Sequence, residues 1–323
     1  MAMIRKQTTV SPALAGRADR VVQTLTEKSR SEIRGLFDHD CVSINGELCP
    51  DMGTLVRSGD VVEVHFDMHT RYRERALEWE DDAFQIVFED KHLLVVDKAA
   101  NVLTVPANPG ETDSLLHAIS RYLSHRGGRD RAQLVHRLDR GASGLLVFGK
   151  NRAMADALQG QFEERKPERE YVAIVNGRVP DASGTFESYL ATSKSLQQFS
   201  TNRPEEGQLA ITHYQLARSV RNASYVRVWL ETGRRNQIRV HFAEAGHPVL
   251  GDPRYRPDLS AHSHWRVKRL ALHAAVLGFT HPATGQPLRF ESPMPAAMAS
   301  FIGLESPRAK SPKKAFKPRR HNG

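Results

Sequence analysis

Two short apolar runs, Leu134-Val135 and Leu145-Leu146-Val147-Phe148, flank a charged turn in the stretch LVHRLDRGASGLLVFGK, Leu134 to Lys150. Both are too short for helices and rich in leucine, β-branched or aromatic residues, so strands are predicted over Leu134 to Leu138 and Leu145 to Phe148. That commits this part of the chain to a sheet with a sharp passage in its middle. Gly141-Ala142-Ser143-Gly144 permits the passage, because glycine and serine favour tight backbone paths. Asp139 falls where strand gives way to turn, with Arg137 two residues before it and Arg140 directly after. Nearby cations keep a carboxylate ionised. Without a second acid beside it, such a group is better suited to act as nucleophile or base than as acid. Spacing alone leaves a second reading open, a surface turn with solvated charges. A serine-hydrolase elbow is excluded, since G-x-S-x-G is required and the second glycine here comes one residue early.

The remainder reads as two folded regions. Residues 1–16 carry Pro12 and scattered polar residues and read as a loose arm. Residues 17–66 form a compact unit: a helix over Val21 to Lys28, a second capped by Ser31, a strand Val42-Ser43-Ile44, a hairpin turn at Asn45-Gly46, and a strand from Val61 to Phe66. Residues 67–80 are charged and weakly patterned, an interdomain linker. From Asp81 to Leu304 strand patterns dominate, at Phe84 to Phe88, His92 to Asp97, Tyr171 to Val175, Ile211 to Ala217, Tyr225 to Glu231 and Ala271 to Phe279. His281 to Gln286 is a hairpin turn before a strand at Pro287 to Phe290. Helices are expected from Asn151 to about Lys166 and from about Asn236 to Ala245. The fold class is therefore α+β: a small helix–helix–hairpin domain, then a larger domain with a mixed, largely antiparallel sheet flanked by helices.

Composition excludes several classes. Two cysteines, Cys41 and Cys49, make neither a disulfide framework nor a zinc site, and no apolar run approaches a membrane span. No secretory h-region is evident, so a reducing cytoplasm is expected. The net charge is +9, but seven uncompensated Lys/Arg lie between Ser306 and Gly323, leaving +2 for the rest. Residues 305–323 read as a disordered basic tail. A nucleic-acid partner must therefore be argued from local features.

HRLDRGASGLL resembles the H-R-L-D-x-x-T/A-S-G-L-L signature of the RluA-type RNA pseudouridine synthases. Three further runs resemble family motifs in order: Arg169-Glu170-Tyr171-Val172-Ala173 (K/R-x-Y-x-A), Thr232 to Asp252 (T-G-R-T-H-Q-I-R-V-H, then G-x-P-I/L-x-G-D), and Arg269 to Ala274 (R-L-x-L-H-A). Val96 to Asn101 is a weaker match to D-K-P-x-G. The resemblance implies that Asp139 is the catalytic aspartate, that Arg239 pairs with it and that Tyr171 contacts the target base. It further implies that Arg137 fills the space left by an extruded uridine and that Leu272 packs beside the aspartate. By pattern alone, Tyr171 reads first as a tyrosine packed in a strand core, and Leu272 can be a core leucine and still pack beside the aspartate. Backbone N–H groups after Thr232-Gly233 could hold an anion. Arg235 and Asn236 stand where Thr and His are usual; Asn236 still donates and accepts hydrogen bonds, and is grouped with Arg137 and Leu272 as substrate-contacting.

The N-terminal unit resembles a small RNA-binding fold first known from a ribosomal small-subunit protein, through Arg17, Ser29 to Arg34, Val42 to Gly46 and Ser58 to Val64. This implies that Arg17, Arg20, Lys28, Arg30 and Arg34 meet the RNA backbone; a solvated basic helix face is the plain alternative. The expected activity is isomerisation of uridine to pseudouridine by a monomer acting on structured RNA. Ribosomal RNA is favoured over transfer RNA, with no cofactor and no metal. The alternatives are a non-catalytic RNA-binding assembly factor and an RNA glycoside hydrolase, which would want two carboxylates.

Overall fold

The computed structural model describes residues 3–49, 51–68, 70, 72, 81–108, 111–125 and 131–304. The expected linker lies mostly, and the expected basic tail wholly, outside them. The chain divides into two compact units, Met1–Trp79 and Glu80–Gly323.

The first unit contains β1 (Met3–Thr9), β2 (Gly16–Arg17), α1 (Ala18–Thr26), α2 (Arg30–Asp38), β3 (Val42–Ile44), β4 (Glu47–Leu48), β5 (Leu55–Val56) and β6 (Val61–Asp67). The expected loose arm is corrected. Met3 to Thr9 pairs antiparallel with the whole of β6, from Met3↔Asp67 to Thr9↔Val61. The helix cap is also corrected, from Ser31 to Ser29. The Ser29 and Glu32 side chains satisfy each other's backbone N–H in a capping box, which leaves Ser31 inside the first turn. Asn45 (φ 51°) and Gly46 (φ 85°) form the two-residue turn between β3 and β4, both in the left-handed region that Asn and Gly tolerate. Val21, Val22, Ile33, Leu36 and Phe37 from the helices pack on Val42, Val62, Val64 and Phe66 of the sheet.

The second unit contains β7 (Phe84–Glu89), β8 (Leu93–Lys98), α3 (Leu115–His125), β9 (Gln133–Leu134), β10 (Ser143–Gly149), α4 (Arg152–Glu163), β11 (Glu168–Asn176), β12 (Ser183–Thr192), β13 (Gln198–Thr201), β14 (Gln208–Val220), β15 (Ala223–Leu230), α5 (Gln237–Glu244), α6 (Pro257–Ser260), β16 (Leu272–Thr280), β17 (Pro287–Glu291) and α7 (Ala296–Phe301). Its eleven-stranded sheet runs β13-β12-β14-β15-β11-β16-β10-β8-β7, with β17 beside β16 and β9 beside β10. The β10–β16 pair is parallel, and the neighbouring pairs are antiparallel, as in β8–β10 and β11–β16.

Every residue of β10 is buried, which is why its apolar run is continuous rather than alternating. Leu145 and Val147 pack with Leu93, Val95, Leu158 and Phe279 in one core cluster. Burying one such side chain contributes about 1.5–3 kcal/mol. Gly144 has φ +115°, and a Cβ there would lie 2.2 Å from the Ala274 carbonyl oxygen. Only glycine lets β10 approach β16 this closely. The expected strand from Leu134 to Leu138 is corrected: pairing ends at Leu134, and the following residues leave the sheet.

Among the described residues no helix is long and apolar enough to cross a membrane. His241, on α5, is buried, and burial pushes its pKa down to about 4; its ring nitrogens face Thr212 Oγ1 at 2.9 Å and Ser188 Oγ at 3.0 Å. An unfolded histidine titrates near 6.5, so between about pH 6.5 and 4 the unfolded chain holds the extra proton. Stability is therefore expected to fall as pH drops through that window, by about 3 kcal/mol from this group. Urea midpoints at pH 7 and pH 4 should show a smaller drop for His241→Gln than for the wild type. Equal drops would remove His241 as the cause.

Candidate active site

The turn after β9 delivers Asp139. Its backbone is fastened on both sides. Thr104 Oγ1 donates to the Leu138 carbonyl (2.8 Å) and accepts from the Leu138 N–H (3.2 Å). Lys98 Nζ, fully buried, donates to the carbonyls of Ala99 (2.7 Å), Val102 (2.8 Å) and Arg140 (3.3 Å). Desolvation pulls the Lys98 pKa down to about 7, against the attraction of Asp139. The Ala142 N–H bonds back to the Asp139 carbonyl at 3.1 Å and closes the turn. A carboxylate on a backbone so constrained has little freedom in where it points.

Both carboxylate oxygens are held. Asn236 Nδ2 donates to Asp139 Oδ1 at 2.7 Å, and Arg239 NH1 donates to Oδ2 at 3.1 Å. Arg239 is itself clamped: its Nε and NH2 each reach Asp252 at 2.7 Å, and its guanidinium lies 5.0 Å from the Tyr255 ring centre. Burial opposes the Arg239 charge, but Asp252 and Asp139 outweigh it, so its pKa stands above the usual value. Asp252 has no exposed side-chain surface and also accepts the N–H groups of Arg254 and Tyr255. One planar guanidinium thus bridges a buried structural carboxylate and the Asp139 carboxylate, a geometry lysine could not supply.

The segment from Thr232 to Asn236 takes its shape from Gln237. That buried amide accepts from Thr232 Oγ1 and the Arg234 N–H, both at 2.9 Å, and donates to Ile211 O and Thr212 Oγ1. Of the backbone N–H groups after Thr232-Gly233 expected to face an anion, that of Arg234 is spent on Gln237, and the helix begins at Gln237, one residue after its expected start. Gly233 leaves room for Arg169, whose NH1 would lie 2.6 Å from a Cβ there.

Tyr171 lies on β11, where register with β16 shifts between Glu170 and Tyr171. A bulge of this kind re-aims side chains. Tyr171 is buried, and burial raises its phenol pKa. Glu170, on the opposite face of the strand, is spent on Arg227, with bonds of 2.6 and 2.8 Å.

Asp139, Tyr171, Arg239, Arg137, Leu272 and Asn236 together line one cavity of about 50 Å³. Asp139 is the one acid among its lining residues. It adjoins a cleft of about 430 Å³ that shares Arg137, Asp139, Tyr171 and Asn236 with it and adds Phe162, Arg165, Arg169 and Arg235. That is the size range of small-molecule sites. Six residues spread over 136 positions of sequence are thus brought to one point.

In the first unit, Arg17, Arg20 and Arg30 surround a depression of about 410 Å³. Lys28 and Arg34 are not among the residues lining it. Lys28 pairs with Glu32 at 3.2 Å and lies over the Phe66 ring. Sequence reasoning missed Lys98, Thr104, Gln237, Asp252 and Tyr255 as parts of the site. Asp252 and Gln237 stood inside quoted motifs; Thr104 and Tyr255 gave no signal of their own.

Residues 92–244 match the model of the RNA pseudouridylate synthase family. The chain is 36% identical to ribosomal large subunit pseudouridine synthase D of Zymomonas mobilis, over 92% of this chain and 96% of that one. It is 34% identical to the protein of the same name from Pseudomonas aeruginosa, over 94% and 96%. Among solved structures, human RNA pseudouridylate synthase domain containing 4 shares the fold, with a TM-score of 0.55 and 23% identity, over 69% of this chain and 94% of that one.

Proposed function

Because the chain belongs to the RluA-type RNA pseudouridine synthase family, we propose that it isomerises uridines of large-subunit ribosomal RNA, as a cytoplasmic monomer, with Asp139 as its catalytic group. The observation that carries this reading is the two-armed hold on the Asp139 carboxylate inside a cavity lined by Tyr171, Arg137 and Leu272. The reaction breaks the N1–C1′ bond of uridine, turns the base and joins C5 to C1′; the C5 proton leaves to solvent and N1 takes one proton up in its place. Atoms and electrons balance without an added oxidant or reductant. The Asp139 carboxylate acts as nucleophile toward the nucleoside or as base toward a ribose proton. Arg239 holds its charge in place, and Tyr171 stacks on the uracil, at about 1–3 kcal/mol for such a contact. Extruding the uridine from a helix costs about a few kcal/mol, and Arg137, exposed at the rim, occupies the vacated place.

A glycoside hydrolase needs two carboxylates facing the scissile bond. The nearest second acid on the Arg239 network, Asp252, has no exposed side-chain surface and is committed to Arg239. Two further acids, Glu163 and Glu231, line the adjoining cleft with Asp139, and Glu231 is engaged by His213 at 2.7 Å, so release of free uracil is the measurement that separates hydrolysis from isomerisation.

Arg17, Arg20 and Arg30 of the first unit are proposed to meet RNA phosphates. Tritium release from [5-³H]uridine-labelled transcripts tests substrate and domain together. Large-subunit ribosomal RNA should release tritium and transfer RNA should not; the reverse order would reassign the substrate. The Arg20→Ala/Arg30→Ala variant should keep its turnover at saturating RNA. Its dependence of log Kobs on log salt should flatten by roughly 1.5, at about 0.7–0.9 per lost phosphate contact. An unchanged slope would take RNA away from this face.

A further inference from the structure

Two arms hold Asp139, and only the Arg239 arm is charged. The other begins at the edge strand β13. The Gln198 backbone N–H donates to the Tyr255 hydroxyl (3.1 Å), which donates to Asn236 Oδ1 (3.1 Å), and Asn236 Nδ2 donates to Asp139 Oδ1 (2.7 Å). We propose that Tyr255 is a positioning residue for catalysis, acting through Asn236 to fix the direction of the Asp139 carboxylate. This rests on the reading of Asp139 as the catalytic group.

The chain of donors runs one way for a chemical reason. A backbone N–H can only donate, so the hydroxyl accepts from Gln198 and keeps its single proton for Asn236. That proton decides which end of the amide faces which neighbour. With Oδ1 satisfied by Tyr255, Nδ2 is left for the carboxylate. Without the hydroxyl only the carboxylate itself orients the amide, and Oδ1 loses its donor, so the amide and the carboxylate it holds gain freedom to turn. Burial raises the Tyr255 phenol pKa, so the group stays a donor across the working range. Asn236 sits at φ 57°, ψ 16°, a left-handed backbone that asparagine tolerates, directly ahead of α5. Tyr255 also lays its ring against the Arg239 guanidinium. A single buried side chain therefore braces both arms, by its ring on one and by its hydroxyl on the other.

Tyr255→Phe separates these contributions, because the ring stays over Arg239 and only the hydroxyl is lost. With the full-length protein and labelled large-subunit transcript, kcat and KM are read separately, with RNA Kd by filter binding. Tyr255→Phe should lower kcat about tenfold while KM and Kd stay within about twofold. Asn236→Ala should lower kcat about a hundredfold, and the double variant should be no slower than Asn236→Ala alone, since the hydroxyl acts only through the amide. If Asn236→Ala does not fold, Asn236→Asp, isosteric but without the N–H donor, replaces it with the same expectation. The proposal is overturned by a wild-type kcat in Tyr255→Phe or by losses that multiply in the double variant. A loss confined to KM and Kd would also overturn it, making Asn236 a substrate contact. A wild-type protein that releases no tritium would instead overturn the reading of function on which this rests.

Discussion

Asp139→Asn is expected to lower the rate of pseudouridine formation by at least about 10⁴-fold, while leaving the fold intact and RNA affinity within about threefold of wild type. The size of the loss follows from what the substitution removes. The amide has the volume of the carboxylate and keeps one oxygen to accept from Asn236 or Arg239, so the cavity is not re-formed. It lacks the negative charge and the basic lone pairs that make a nucleophile or base. Binding survives because most RNA contacts go to phosphate and sugar, which do not involve this carboxylate. Single-turnover tritium release with enzyme in excess isolates the chemical step. A rate within tenfold of wild type would move the chemistry to another group. A weakened Kd matching the lost rate would make Asp139 a binding residue.

Arg239→Ala is expected to damage stability and rate together, which sets it apart from Asp139→Asn. Asp252 has no exposed side-chain surface and receives both its short side-chain bonds from Arg239. Removing the guanidinium strands that carboxylate in a dry place, and breaking such a buried pair costs about 3–5 kcal/mol. The same substitution takes from Asp139 the donor at 3.1 Å on Oδ2. Losing one preorganised donor at a reacting charge typically costs 10²–10³-fold in rate, so a fall of about 10³-fold is expected. Arg239→Lys should fall between the two, because an ammonium keeps the charge but cannot bridge two carboxylates in one plane. Urea unfolding and single-turnover rates on the same preparations check both effects. Wild-type stability in Arg239→Ala would show that Asp252 is not dependent on this partner, and a wild-type rate would remove Arg239 from the site.

What was legible in the sequence was local. The apolar run at Leu145 to Phe148 announced a strand, which the structure buries on both faces; Asn45-Gly46 announced the hairpin of β3 and β4, and Asn151 announced the cap of α4. Asp139, Tyr171, Arg239, Leu272, Arg137 and Asn236 could be singled out because each stood in a motif, and they line one cavity. What stayed hidden was either weakly apolar or long-range. β1 buries few residues, with a pattern that alternates exposed and half-buried, so it read as an arm until its partner β6 was known. The stretch after Leu134 leaves the sheet because Thr104 and Lys98 take its backbone groups, and neither is near it in sequence. The Ser29 cap, by contrast, was there to be read, since serine followed three residues later by Glu32 is the capping-box pattern. Asp252 and Tyr255 could not be assigned from spacing: their partners, Arg239 and Asn236, meet Asp139 only when segments about a hundred residues apart converge.

The central claim is that one anchored carboxylate isomerises uridine without releasing the base. Unmodified large-subunit ribosomal RNA, incubated with the purified wild-type protein and with Asp139→Asn, can be mapped for pseudouridine and its supernatant assayed for free uracil. Discrete new pseudouridines with the wild type, none with the variant and no uracil with either is the expected result. Free uracil, or the same pseudouridines made by Asp139→Asn, would contradict it.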